Sequence, residues 1–275
     1  MLKKIISITL LLTIAPALFF CQSQQEDLSG HELLQAVLWM QHAAEYKALS
    51  LQAYNIALLR LEEALQDKQW TAALEQTVNY QHLPPAVILD ADETVLDNSP
   101  YEAELILTGT TYNEQSWTRW CEEARATALP GAVEFCQQAH ARGVTIFYVT
   151  NRRDPLREVT RANLQALGFP LEKDLETVLT RSDVADKGAR RSQIAQTHRI
   201  VLQIGDNNGD FASAFTRGSQ SLRDSLVFEY RDLFGKKWIV LPNPVYGDWE
   251  GALINYQYAL PETAKLRLKY RLLRR

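Results

Sequence analysis

Carboxylates gather at the ends of apolar runs in this sequence. The short run Ala86 to Leu89 is followed at once by Asp90, Asp92, Glu93 and Thr94. A second run, Val144 to Val149, ends in Thr150 and Asn151, and a third, Ile200 to Ile204, leads into Asp206 and Asp210. Carboxylates so placed can attack an electrophile, exchange a proton or share a hard cation, and a hydroxyl or amine beside them can receive an anion. A lone D-x-D-x-T would arise by chance in on the order of a few per cent of chains of this length. Three apolar runs ending this way, in order, are a different matter. Unbroken apolar runs fit parallel strands covered on both faces, and ligands bind just beyond the carboxyl ends of such strands.

The segments between these runs must position them, and they read as helices. From Gly30 to about Gln66 apolar residues recur at three and four, through Leu33, Val37, Leu38, Leu49, Ile56 and Leu61, which predicts one long helix. Leu83-Pro84-Pro85 ends that region and admits the first strand. Helical pattern returns over Ala103 to Leu107 and Asn113 to Ala126, with Asn113 as N-cap and Glu114 in the first turn. Pro130 suits the first turn of a helix running to Arg142 and stopped by Gly143, and a helix from Pro155 to Leu167 stops at Gly168. A helix over Asp183 to Gln196 carries Lys187, and Trp238 to Leu241 forms a later strand. The alternation predicts an α/β fold with a parallel sheet and right-handed crossovers.

The set Asp90-Ala-Asp92-Glu-Thr94, Thr150-Asn151-Arg152, Lys187 and Gly205-Asp206-Asn-Asn-Gly-Asp210 resembles the four motifs of the haloacid dehalogenase superfamily of phosphotransferases. Within it, ETVLDNSPY, the WTRW segment at Trp117 to Trp120, PGAVEF from Pro130 and LPNPVYGDWEG from Leu241 are similar to the class C acid phosphatases, which are bacterial exported lipoproteins. The resemblance spans about Trp39 to Gly251. It implies a doubly wound parallel sheet of haloacid dehalogenase type with an N-terminal helical extension and a small helical cap. The expected organisation is a signal peptide over 1–20, the helical extension over 21–82, a phosphatase core over 83–260 with a helical insert at 103–129, and a basic C-terminal helix over 261–275.

Phosphate-ester hydrolysis needs a nucleophile, a proton for the leaving oxygen and neutralisation of the transferring group. Asp90 is the candidate nucleophile and Asp92 the general acid and base. Thr150, Asn151 and Lys187 would receive the phosphate oxygens. Asp90, Asp92 through its backbone carbonyl, Asp206 and Asp210 would form an all-oxygen metal site, which suits Mg²⁺. Two tryptophans three apart on a helix are ordinarily core, but the resemblance makes Trp117 a stacking partner for the substrate's ring, with Tyr246 opposite it. The departures from the family pattern, Ala91 and Asn208-Gly209, remove no functional side chain. The expected substrates are nucleoside monophosphates or aryl phosphates. Two alternatives are a sugar-phosphate phosphatase and a surface lipoprotein that binds a planar ligand on the same scaffold.

The chain of 275 residues is 46% hydrophobic and has a net charge of −4, which bounds it to one large domain with at most a small satellite and gives no nucleic-acid footprint. Lys3 and Lys4 precede the charge-free apolar run Ile5 to Phe20, an export signal. Cys21, followed by Gln22-Ser23-Gln24-Gln25, looks like a lipidated cysteine, which would anchor an exported lipoprotein in the outer membrane or at the cell surface; Phe20 departs from the usual small residue, and cleavage after Ala15-Pro16-Ala17 is the alternative. Cys121 and Cys136 are read as buried and unpaired rather than bridged. The tail mixes Lys265, Arg267, Lys269, Arg271, Arg274 and Arg275 with leucines. Such a segment can lie on an anionic membrane, although a terminal helix complementing its own dipole is the simpler reading. A homodimer is compatible with all of this.

Overall fold

The computed structural model describes residues 31–274. Seven strands form, β1 (Pro85–Leu89), β2 (Leu96–Asp97), β3 (Thr127–Ala128), β4 (Thr145–Arg153), β5 (Val178–Arg181), β6 (Arg199–Gly205) and β7 (Trp238–Val240). Five of them make one parallel sheet in the order β5-β4-β1-β6-β7, and β2 pairs with β3 in a small antiparallel sheet. β1 is therefore central, and its register fixes the site: Leu89 pairs with Tyr148 on one side and Ile204 on the other. The next residues along these three strands bring Asp90, Thr150 and Asp206 out at one end of the sheet.

The sheet is covered on both faces, which is why its central strand β1 is apolar without alternation. Val87 and Leu89 pack into a cluster with Tyr54 and Phe135, whereas Ala86 and Ile88 pack into another with Ile194, Phe211 and Trp238. The first layer contains α1 (Leu34–His42), α2 (Ala44–Gln66), α3 (Ser99–Thr108), α4 (Glu114–Glu122) and α5 (Ala132–Ala141). α6 (Arg157–Ala166), α7 (Gly188–Ala195), α8 (Gln220–Glu229), α9 (Asp248–Leu253) and α10 (Glu262–Arg271) follow.

The helical extension is knitted into the sheet. Buried Arg199 of β6 donates through Nη1 to the carbonyls of Ala64, Asp67 and Trp70 at 2.9–3.0 Å, ending α2 with a cation where helix carbonyls are unpaired. Trp70 Nε1 donates to Val201 O at 2.8 Å, and Ala72 N to Ile200 O at 2.7 Å.

Several expectations shift. The long N-terminal helix is broken at Ala43, whose φ of −72° and ψ of 130° are extended. No Gly or Pro marks the break; it lets α1 turn onto α3, where Gln41 reaches Ser99 O, while α2 runs against α5. Tertiary packing overrides helical propensity there. The helix after Pro130 begins at Ala132, because Gly131 adopts a φ of +87° and passes Tyr54 so closely that a Cβ would lie 3.3 Å from its side chain. α7 begins at Gly188 rather than Asp183, which leaves Lys187 as its N-cap. β2, β3 and β5 carried no apolar run long enough to announce them. Cys121 and Cys136 are both buried and unpaired, as expected. Among the described residues no helix is long and apolar enough to cross a membrane. The export signal and Cys21 lie outside the described residues.

Candidate active site

Asp90 is the first residue beyond β1, held by its backbone N–H donating to Ile204 O at 3.0 Å. Lys187, 4% exposed, extends from the N-cap of α7 to place Nζ 2.7 Å from Asp90 Oδ1 and 2.7 Å from Asp210 Oδ1. Asp210 sits in a 3₁₀ turn, Asn208–Asp210, and accepts from Asn207 N at 3.0 Å through Oδ2. Arg191 of α7, wholly buried, clamps that turn by donating to Gly209 O and Asp210 O at 3.2 and 3.0 Å. Gly205 has to be glycine, because a Cβ there would come within 2.8 Å of Asp210 Cβ and Cγ. Asp206 accepts from Asn243 Nδ2 at 2.8 Å and from the Thr94 hydroxyl at 3.2 Å.

Carboxylate oxygens of Asp90, Asp206 and Asp210 all lie within 4.8 Å of one another. One ammonium does not balance three carboxylates in a protein wall. Burial, opposed by Lys187 and reinforced by Asp210, Asp206 and Asp92, holds the Asp90 carboxyl well above the usual range. Burial, with Asp210 beside it, pushes Asp206 up to about 7. Lys187 is raised as well, for a different reason: burial alone would depress it, but Asp210 and Asp90 together outweigh that. Hard oxygen donors short of positive charge are what a divalent cation fits, and this cluster could hold one.

Asp92 points into a second, cationic pocket. Arg152, 2% exposed, grips it with Nη2 at 2.7 Å and Nε at 3.0 Å from Oδ1, and Nε lies 3.3 Å from Oδ2. Asn98 Nδ2 donates to the same Oδ1 at 3.0 Å, and the Thr150 hydroxyl to Oδ2 at 3.4 Å. Asn98 is fixed in turn by Trp120, whose Nε1 donates to its Oδ1 at 2.8 Å. Asn151 is exposed, and its side-chain oxygen accepts from Arg190, which also donates to Thr150 O at 2.5 Å. Trp117 is half-buried, edge-on to Tyr101 at 5.1 Å and under the Arg152 guanidinium at 5.5 Å. Tyr246 approaches from the loop after β7 and donates its hydroxyl to the buried carboxylate of Glu93. The structure thus gathers Asp90, Lys187, Asp206 and Asp210 in one cluster, with Asp92 and Thr150 beside it, Trp117 joined through Arg152 and Tyr246 through Glu93. Sequence reasoning gave no role to Arg152, Asn98, Glu93 or Asn243. All four stand inside the motif runs, but polar residues in a motif do not say what they touch.

Residues 20–249 match the model of the family described as HAD superfamily, subfamily IIIB (Acid phosphatase). The chain belongs to this family. The fold agrees: the structure of the class C acid phosphatase from Bacillus anthracis superposes with a TM-score of 0.79 at 38% identity, over 88% of this chain and 96% of that one. The same enzyme with tungstate bound gives the same figures. Acid phosphatase 1 of Solanum lycopersicum is 29% identical over 162 residues, which is 58% of this chain and 57% of the tomato protein, so the match spans little more than half of that relative. The parallel sheet with helices on both faces is the haloacid dehalogenase fold in this branch of the superfamily.

Proposed function

We propose that this protein is an exported phosphomonoester hydrolase acting through a phosphorylated aspartate, with Mg²⁺ as its cation. The observation that carries the reading is Lys187 seated between Asp90 and Asp210, with Asp92 two residues from Asp90 and held separately by Arg152. A carboxylate against an ammonium beside a hydroxyl is arranged to meet a phosphate dianion. Tungstate, a tetrahedral oxyanion, bound to the Bacillus anthracis relative is in keeping with this.

In this reading Asp90 attacks phosphorus in line, and the bond to the leaving oxygen breaks as the acyl phosphate forms. Asp92 gives its proton to the departing alkoxide, then takes one from the water that attacks the acyl phosphate, releasing inorganic phosphate and restoring Asp90. Lys187 and the Thr150 hydroxyl hold the non-bridging oxygens through both displacements. A divalent cation held by the carboxylates of Asp90 and Asp206, with Asp210 close by, would offset the negative charge of phosphate and aspartate. Trp117 and Tyr246 flank the leaving group, which favours nucleoside monophosphates and aryl phosphates. Anchoring through a lipidated Cys21 completes the proposal.

The test is a panel of nucleoside, aryl and sugar phosphates given to the purified protein with and without chelator. Phosphate release from the aromatic members that chelator abolishes and Mg²⁺ restores is expected, and Asp90→Asn should release none. Retained ligand binding with no hydrolysis of any phosphomonoester would make the protein a binder on a phosphatase scaffold.

A further inference from the structure

The proposed reaction leaves the C-terminal tail without a task. Residues 262–275 carry six basic side chains against one acidic one, in a chain whose net charge is −4. The sequence alone does not sort these residues, because leucines and basic residues nearly alternate. The helix sorts them. Ala264, Lys265, Leu268 and Lys269 are half-buried, with Lys269 bonded across to Glu32 and Glu250 and Lys265 to Glu262 within the helix. Leu266, Tyr270 and Leu273 face outward and are 39%, 66% and 70% exposed. Arg267 and Arg271 follow Leu266 and Tyr270 on the same helical face, and Arg274, like Leu273, is exposed just past the helix end. Among the described residues no acidic side chain pairs with any of these three arginines.

An apolar stripe alongside an unpaired arginine stripe has few partners that satisfy both. A second copy of this face would set arginine against arginine across a two-fold axis. An anionic phospholipid surface takes both: phosphate headgroups meet the arginines while leucine and tyrosine side chains enter the acyl boundary. The bond from Lys269 to Glu32 sets the helix beside the residues that lead into α1, and Glu32 follows Cys21 by eleven positions in the sequence. We infer that the outward face of α10, Leu266, Arg267, Tyr270 and Arg271, continued by the exposed Leu273 and Arg274 just past its end, docks on anionic phospholipid and so orients the protein at the membrane. This rests on the proposed anchoring for its biological setting, not for its chemistry.

The experiment places an environment-sensitive fluorophore on Tyr270→Cys in the full chain, on vesicles of phosphatidylcholine with or without phosphatidylglycerol. The label is introduced on a Cys21→Ser background, Cys121 and Cys136 are buried, and the same chain without Tyr270→Cys, labelled in parallel, gives the background. On anionic vesicles only, emission should shift to the blue and iodide quenching should fall several-fold, both reversing at high salt. Each arginine near an anionic leaflet is worth about fivefold in partitioning. Arg267→Glu, Arg271→Glu and Arg274→Glu together should therefore abolish the shielding at an unchanged unfolding midpoint, with the three glutamine replacements standing in if that variant folds poorly. Equal quenching on the two vesicle types overturns the inference. So does shielding that appears without vesicles and grows with protein concentration, the signature of a second copy. Cys21→Ser removes the proposed lipid, so an anionic effect that persists in that variant belongs to the helix face alone, and the anchor is judged separately by the partitioning of the same variant.

Discussion

Replacing Arg152 by methionine tests whether Asp92 works because it is held. The guanidinium is almost fully buried and makes its two shortest contacts, 2.7 and 3.0 Å, with a single carboxylate oxygen. Breaking a buried pair by removing one partner costs about 3–5 kcal/mol. Asp92 is 14% exposed and keeps Asn98 and Thr150 as donors, so the cost here should fall near the bottom of that range. With a urea slope of about 2–3 kcal/mol per molar, the unfolding midpoint should drop by roughly 1 M. The kinetic consequence is sharper. General acid catalysis is worth roughly 10²–10⁴-fold, and a misplaced acid loses much of it, so turnover of an alkyl phosphate should fall about 10–100-fold. p-Nitrophenyl phosphate, whose leaving group departs unaided, should lose far less in its first step. Rapid-quench measurement of phosphoenzyme formation separates that step from hydrolysis. Arg152→Lys should recover part of the stability but not the alkyl rate, because an ammonium cannot reproduce a two-point grip. An unchanged midpoint, or equal first-step losses for both substrates, would refute the idea that Arg152 positions Asp92.

Glu102 makes stability depend on pH. Burial first, and Glu250 second, push it up to about 7 from its ordinary 4.5. The folded chain therefore binds the extra proton between these values, so stability falls as pH rises through that window and levels off above it, by at most about 3 kcal/mol. Glu102→Gln should raise the thermal midpoint at pH 8 and leave it alone at pH 4.5; a gain of the same size at both would exclude burial of the charge as the cause. Trp117→Ala should cut catalytic efficiency on aryl and nucleoside phosphates several-fold, since a stacking contact is worth roughly 0.5–1.5 kcal/mol, while glycerol phosphate is nearly unaffected. Equal losses on both would remove the stacking role. Cys21→Ser should move the exported protein from the detergent phase to the aqueous phase, and unchanged partitioning would shift the anchor elsewhere.

The sheet and the polar residues at the carboxyl ends of its strands were legible because both depend on local rules. Covered strands are largely apolar, so a polar residue where an apolar run stops stands out: Asp90 and Asp206 follow β1 and β6, Thr150 ends the apolar part of β4, and Asp210 follows in the next turn. What could not be read was set by contacts distant in the chain. Ala43 ends a helix without any breaker because α1 has to meet α3. Asn243 stands in a turn beyond β7, and nothing local says that its amide belongs to Asp206. Arg152 follows two residues assigned to phosphate, yet its side chain goes back 60 positions to Asp92. Sorting the tail into an inner and an outer face likewise required knowing which side of α10 meets the body.

The bonds from Arg199 to the end of α2 also set a timetable. The carbonyls of Ala64, Asp67 and Trp70 obtain their donor only when a residue 129 to 135 positions later has been delivered. The central strand β1 likewise needs β6, more than a hundred residues on, to complete its second edge. Contacts at that separation make early collapse unrewarding, since loop closure has to be met before they form. The segment from α1 to β1 therefore gains little by committing to structure before β6 is available. A protein whose second helix is finished by its sixth strand becomes cooperative only once nearly all of it is available, which is the order of events that the proposed export would require.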